Sequence, residues 1–493
     1  MAPTVIPADA GIQFLRSPAW MPACAGMTNR VALVAAYGAH VHLAHISPNL
    51  ASPEGEGFQP SPTETLKTFY LRRLWNHGLL RLFRNYCGIN DLSKIETTQT
   101  LGVPLAVWGR LAANCTAHMT EHLFNGVIAV ILPLITASLG LSLAQAGALA
   151  SARTLMAGVA SFPSGFFADL ARRRNILLCV CVAMIGLASL GLSAAWSFPI
   201  LMIFMGLGGF GSGWFHPQSL AILSTKYREQ KAFALGIHDS SANLGEVVGP
   251  LAIGLLLNFF DWRATLQIWA VPGLIIGFVY AVLGAESDLA TPRARDYRRA
   301  VWEDVLKNKT VFALVAVSTL RAMGQTALAS FLPLYLMLHL KLAAGVAGML
   351  MSVLFLFAGV APAVVGWISD RFGHKLLIVV FSTLSVATIV AIPHLGSGLM
   401  LGVGLGALGG LLWALRPVIV SAAMSAAPTH LSGSIVAFIY GANMGVSFIA
   451  PLIAGLVADR YGLPAALYAI AIFPLLAATI CFLVVKPAAQ PAK

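Results

Sequence analysis

The feature that most constrains this chain is a succession of apolar stretches, most of twenty residues or more, from about residue 105 to residue 485. A membrane-spanning helix needs roughly 20 consecutive, mostly apolar residues. Inside lipid every backbone N–H and C=O must find its partner within the chain, and an apolar helix does this by itself. The runs cover approximately 107–137, 144–168, 175–194, 197–222, 232–259 and 263–284, then 310–337, 343–368, 375–394, 397–422, 432–457 and 464–486. They predict an all-α polytopic membrane protein with twelve transmembrane helices, short loops and no room for a soluble domain between them. Composition agrees: charged residues are 10% of the chain, against about 25% in soluble globular proteins, and mean hydropathy is +0.80.

The formal net charge of +12 does not point to nucleic acid, because the basic residues sit in short loops between apolar runs. Arg172–Arg174 follow span 2, Lys226, Arg228 and Lys231 follow span 4, and Arg293, Arg295, Arg298, Arg299, Lys307 and Lys309 follow span 6. Arg371 and Lys375 follow span 8, whereas the intervening loops hold only Arg263, Lys341 and Arg460. The positive-inside rule puts the first set, and both termini, in the cytoplasm. The expected location is therefore the bacterial inner membrane. The six cysteines form no CxxC pair, and no cofactor or metal site is expected from the sequence.

Residues 1–100 are of another kind. They hold no apolar run of spanning length and open with no signal-peptide pattern. The string from Val5 to Thr28 resembles peptides translated from a bacterial intergenic repeat through a misplaced start codon. The expected division is an N-terminal extension over 1–104, six-helix bundles over 105–284 and 310–486, a cytoplasmic linker over 285–309, and a tail over 487–493.

The two bundles repeat one another. Ala242-Asn243-Leu244-Gly245 recurs as Ala442-Asn443-Met444-Gly445, an offset of 200, and each is followed by a proline, Pro250 and Pro451. GFFADLARRRN (Gly165–Asn175) recurs as GWISDRFGHK (Gly366–Lys375), His216-Pro217 matches Arg416-Pro417, and Pro272 matches Pro474. Parallel six-helix repeats occur in one large class of secondary transporters. The Gly165 and Gly366 segments resemble the loop motif of the major facilitator superfamily. GFGSGWFHPQS (Gly209–Ser219) and SSANLGEVVGPL (Ser240–Leu251), with His118 and Pro133 in span 1, are similar to the fosmidomycin-resistance branch. The resemblance implies transport by alternating access of the two halves. It assigns Gly165, Asp169, Arg172, Arg173, Gly366, Asp370, Arg371 and Lys375 to a gating motif. An acid at the end of span 2 can cap a neighbouring helix N-terminus or pair with a base across the bundle, so Asp169 reads as a latch.

An ionisable side chain within a span is costly, about 2.5–3.5 kcal/mol on insertion scales, and marks function by default. Span 1 carries His118, Glu121, His122 and Asn125 at i, i+3, i+4 and i+7, one face of a helix, which is expected to line the cavity. Glu121 is the first candidate for proton coupling, with Glu246 and Asp239 of span 5 beside it; Arg153 of span 2 is an alternative, structural partner. Substrate-cavity candidates are His118, His122, Asn125, Arg153, His216, Asn243, Arg321, Gln325, Arg416, Tyr440 and Asn443. Acids thus cluster in the first half and arginines in the second. That division suits proton handling on one side and, because the guanidinium fork matches a carboxylate or phosphonate, an anionic or polar substrate on the other.

Proton-coupled efflux of a small drug or metabolite is the leading expectation, uptake of an organic anion the alternative, and a non-transporting membrane sensor the reading from another class. No HExxH or Walker sequence points to an enzyme or an ATPase. The expected partners are a small-molecule substrate, protons and the bilayer, with the chain acting as a monomer.

Overall fold

A computed structural model describes residues 105–170, 174–227, 231–283, 308–426 and 432–485. The chain divides into two units, Met1–Val103 and Pro104–Lys493. The first unit, Arg172, Arg173, nearly all of the 285–309 linker and the 487–493 tail lie outside the described residues, and so do the expectations made for them.

Regular structure among the described residues is helical, in twelve consecutive rods. The first six are α1 (Leu105–Ser138), α2 (Leu143–Leu170), α3 (Arg174–Ala194), α4 (Phe198–Lys226), α5 (Lys231–Leu256) and α6 (Trp262–Leu283). The next are α7 (Lys309–Leu334, continued by a π turn Tyr335–His339), α8 (Ala344–Phe372) and α9 (His374–Ala391). Then α10 runs as Leu399–Leu408, a π turn Gly409–Trp413 and Leu415–Ser425, α11 as Ser432–Val446 and Ile449–Tyr461, and α12 as Leu463–Val484. Ten rods are long and apolar enough to cross a bilayer. The other two, α2 and α5, are as long but more polar. Both pack between the halves, α2 on α11 and α5 on α8, where protein rather than lipid meets their polar side chains.

The pairings repeat in register. In the first half α1 packs on α5, α2 on α4 and α3 on α6; in the second α7 packs on α11, α8 on α10 and α9 on α12. Glycines set the close approaches. A Cβ on Gly209 or Gly213 of α4 would strike the backbone of α2 at Arg153 or Ala157, and one on Gly409 of α10 would strike Leu354 of α8.

Among the described residues, the halves join at one end. The α2/α11 seam brings Gly147 against Pro451 and Gly455, and the α5/α8 seam brings Gly254 against Ala344 and Gly345. Deeper, Ser352 Oγ donates to the Val247 carbonyl at 2.7 Å, and Gly158 meets Met444 at mid-length. One apolar core runs through both halves here, joining Val127–Ile135 of α1 to Ala327–Met337 of α7. This is the end with the short loops 139–142, 195–197, 257–261 and 340–343. Towards the other end, where the basic loops lie, the core separates. One cluster belongs to the second half (Val311–Val317, Leu415–Ile419, Ala477) and two smaller ones to the first (around Phe215 and around Leu223).

The N-terminus of α2 closes the short-loop end. A helix start leaves four backbone N–H groups without an intrahelical partner. Two are satisfied locally by a capping box: Gln145 N donates to Ser142 Oγ at 3.1 Å and Ser142 N to Gln145 Oε1 at 2.9 Å. The other two, on Leu143 and Ala144, donate to the Asp459 carboxylate of α11 at 2.6 and 3.1 Å. A side chain of one half thus caps a helix of the other.

Candidate functional site

Where α1, α4 and α5 meet, four side chains gather: His118, Glu121, His122 and His216, with ligand-capable atoms all within 4.8 Å of one another. The i, i+3, i+4 spacing on α1 aims the first three at one face, and His216 comes from α4. Span 1 was expected to line the cavity. The structure instead buries His118 (4% exposed) and Glu121 (0%) within the first half, while the His122 and His216 side chains retain 17% and 31% exposure.

Each group is held by a second one. His118 Nδ1 lies 2.9 Å from the His238 carbonyl, and its ring stacks on that of His238 at 3.7 Å between centroids. His122 Nδ1 lies 3.0 Å from Glu246 Oε1. Glu121 Oε1 accepts from Ser212 Oγ at 2.5 Å and Asn125 Nδ2 at 3.2 Å. Its Oε2 faces His122 Nε2 at 3.3 Å and His216 Nε2 at 3.7 Å. Arg153 of α2 reaches Glu121 through an intermediary, its Nη2 donating to Asn125 Oδ1.

The remaining candidates distribute as follows. Asp239 and Glu246 of α5 are countercharges of Arg416, which also has Tyr440 of α11 beside it. Arg416, Asp239 and Tyr440 are exposed, and the ion pairs found among the described residues do not join Arg416 to either acid. Arg321 is buried; its Nη1 donates to Gln325 Oε1 at 2.5 Å, and Gln325 Nε2 reaches the Leu412 carbonyl at 3.4 Å, within the π turn of α10. Asn243 sits across from Gly359 of α8. Its repeat partner Asn443 stays within the second half, bonded to Ser318 and Thr319 of α7 at 3.1 and 3.3 Å.

Of the loop motif, Gly165 and Asp169 lie on the last turns of α2, and Arg172 and Arg173 lie outside the described residues. In the second copy Gly366 has open space around it. Arg371 stacks over Trp367 at 3.8 Å, and Lys375 Nζ donates to the Phe482 carbonyl of α12 at 2.8 Å. Asp370 is exposed, and the ion pairs found among the described residues do not include it.

A sequence profile of the Major Facilitator Superfamily matches residues 115–443 and 314–493. The chain belongs to that superfamily. It is a multi-pass membrane protein of the all-α superfamily fold. Relatives include the uncharacterized MFS-type transporter YfnC of Bacillus subtilis (strain 168), 24% identical over 365 residues that cover 73% of this chain and 88% of the relative. The multidrug resistance protein MdtG of Klebsiella pneumoniae (strain 342) is 25% identical over 344 residues, 67% of this chain and 82% of the relative. A shorter match, 24% over 149 residues, covers 30% of this chain and 32% of a probable hexose phosphate transport protein of Chlamydia trachomatis serovar D. Among solved structures, a bacterial homolog of the human lysosomal transporter Spinster, in an inward-facing and occupied conformation, superposes with a TM-score of 0.66 at 18% identity, covering 76% of this chain and 96% of that one. The nucleoside transporter NupG superposes with a TM-score of 0.67 at 13% identity, covering 76% and 100%.

Sequence reasoning passed over several groups of this superfamily member's site. Ser212, Ser219 and Asn114 are ordinary polar residues of apolar helices, and only the fold brings Ser219 Oγ to Asn114 Oδ1 at 2.8 Å and to His238 Nε2 at 3.2 Å. Asp459 did carry a signal: Asp459-Arg460-Tyr461-Gly462 echoes Asp370-Arg371-Phe372-Gly373.

Proposed function

We propose that the chain is a secondary transporter of the bacterial inner membrane that exports a small polar or anionic drug or metabolite in exchange for protons, by alternating access of its two halves. The observation that carries this reading is the single core at the short-loop end dividing into separate cores at the basic-loop end. Two halves that share one core at one end and, among the described residues, have separate cores at the other match one of the two states alternating access requires. With the basic loops taken as cytoplasmic, the parted end opens inward and both termini are cytoplasmic. The loop-motif acids Asp169 and Asp370 would then engage only when that end closes.

Glu121 is the proposed proton site, with Glu246 and Asp239 as neighbouring acids. Arg416, facing those acids across the seam, is the proposed contact for substrate anionic groups: a guanidinium fork binds carboxylate or phosphonate in bidentate fashion. The multidrug relative and the likeness to the fosmidomycin-resistance branch support export. A second reading, uptake of an organic anion, draws on the hexose phosphate relative and the same arginine. The purified chain in proteoliposomes, assayed as a monomer with an imposed pH gradient, distinguishes them. Substrate movement against the proton gradient supports export, movement with it supports uptake, and none across a panel of anionic and cationic drugs refutes transport.

A further inference from the structure

We infer that His118, Glu121, His122 and His216 form a binding site for a divalent first-row transition-metal cation of the zinc, cobalt and nickel class. This goes beyond the transport reading and does not depend on it, although the cation and the proposed coupling proton would compete for Glu121. It also departs from the expectation that no metal site is present, although His118-Met119-Thr120-Glu121-His122 carries the H-x-x-E-H spacing, which sets two imidazoles one helical turn apart on one face.

The argument rests on which lone pairs are free. A ring nitrogen beside a carbonyl must carry the proton, so His118 Nδ1 donates to the His238 carbonyl and leaves Nε2 as a lone pair. His122 Nδ1 beside Glu246 Oε1 does the same for its own Nε2. Carbonyl–histidine and carboxylate–histidine arrangements of this kind are how proteins orient imidazole ligands toward a metal. Glu121 has one oxygen occupied by Ser212 and Asn125, leaving Oε2 for the cluster. His118 Nε2 and Glu121 Oε2 are both buried and have no hydrogen-bond partner. Other buried atoms among the described residues also have no such partner, but these two belong to one cluster of ligand-capable groups, and a buried polar atom without a partner calls for an explanation.

Protons alone do not supply one. A doubly protonated His122 would join Glu121 to Glu246 but leave His118 Nε2 unpaired. One cation satisfies both orphan atoms. The spacing also fits: metal–nitrogen bonds of about 2.0–2.1 Å put tetrahedral ligand atoms roughly 3.3–3.5 Å apart. Two of the contacts already stand at 3.3 and 3.7 Å. The widest separation, 4.8 Å, would have to close by about 1.4 Å, shared between the two side chains. Three imidazoles and a carboxylate, with no thiolate, select borderline cations over magnesium or calcium. Glu121 and the outer Glu246 are the acids that would face a divalent ion, while Arg153 beside Asn125 and Arg416, with Asp239 as countercharge, add positive charge at the edge of the cluster. The exposed edges of His122 and His216 provide the way in.

The test is equilibrium Co2+ binding to the purified full chain, prepared without a polyhistidine tag and held at one pH, read by visible absorption and competed with Zn2+ and Mg2+. The expected result is one four-coordinate Co2+, displaced by Zn2+ and not by Mg2+. Glu121→Gln and His122→Ala should lose the four-coordinate spectrum. Glu246→Gln, which acts only by orienting His122, should weaken binding about 10–100-fold. His216→Ala removes a half-open side chain and keeps the test valid if substitution of the buried ligands prevents folding. His394→Ala, whose imidazole pairs with Tyr468 outside the cluster, should bind as the parent does. A parent that binds no Co2+ in four-coordinate form, or that binds it no more tightly than His216→Ala and Glu246→Gln, overturns the proposal. Because binding is read without transport, a protein that transports but takes no metal defeats this inference alone.

Discussion

Replacing Asp459 should loosen the short-loop end of the transporter, by an amount that follows from its geometry. The carboxylate accepts from the first two backbone N–H groups of α2, on Leu143 and Ala144, at 2.6 and 3.1 Å, from the other half of the molecule. An acid at a helix N-terminus contributes about 0.3–1 kcal/mol at an exposed site, and loss of a capping side chain costs about 0.5–2 kcal/mol. This site is exposed, so water replaces part of what is lost and neither range is exceeded. Asp459→Asn keeps one acceptor and removes the charge, which places its effect near 0.5–1 kcal/mol. Asp459→Ala removes both acceptors, with an upper bound near 2 kcal/mol. The contact exists only while this end is closed, so the whole difference appears in the equilibrium between closed and open forms. At about 1.4 kcal/mol per tenfold, Asn shifts that equilibrium roughly two- to fivefold and Ala up to about 30-fold. Spin labels on Ser138 of α1 and Tyr461 of α11, both exposed near this end, report the populations as a distance distribution. Raising ionic strength should shrink the difference between parent and Asn, because the charge term is screened. An unchanged distribution in Asp459→Ala would show that the capping contact does not hold the end shut.

Further substitutions separate contacts between the halves from contacts within them. Gly348→Val, whose Cβ would strike the Pro250 carbonyl of the other half, should shift the same distance distribution toward the open form with little change in thermal stability. Gly213→Val, which strikes Ala157 inside the first half, should instead lower the melting temperature, overpacking costing about 1–3 kcal/mol. Glu121→Gln should abolish accumulation driven by a pH gradient while exchange down a substrate gradient survives, and a variant that still accumulates at the parent rate rules out the coupling role. Asp169→Asn should reduce transport rate more than the amount of folded protein in the membrane, whereas equal losses in the two would leave the latch without support. Deleting residues 1–28 should change neither insertion nor transport, as membrane-fraction yield and uptake assays will show.

The rods, their number and their repeat were legible in the sequence because a bilayer imposes a one-dimensional rule. Each span must be about twenty apolar residues that satisfy their own backbone, and the landmarks at an offset of 200 survive as pairs of helices in equivalent places. The polar face of α1 was legible for the same reason: helical spacing alone puts His118, Glu121 and His122 on one side. Which neighbours that face meets is a matter of tertiary packing. Glycine contacts between Gly245 and Gly249 of α5 and the backbone of α1 bring His238 and Glu246 onto the imidazoles, and α4 brings Ser212 and His216. Those partners are scattered over about 130 residues and no local pattern links them. The same holds for Asp459: its Asp-Arg-aromatic-Gly motif can be read in the chain, but its role depends on α2 beginning beside it, 316 residues away. Local spacing determines which side chains share a helix face. The approach of separate helices, set by where glycine lets backbones touch, decides which lone pairs and charges share a site.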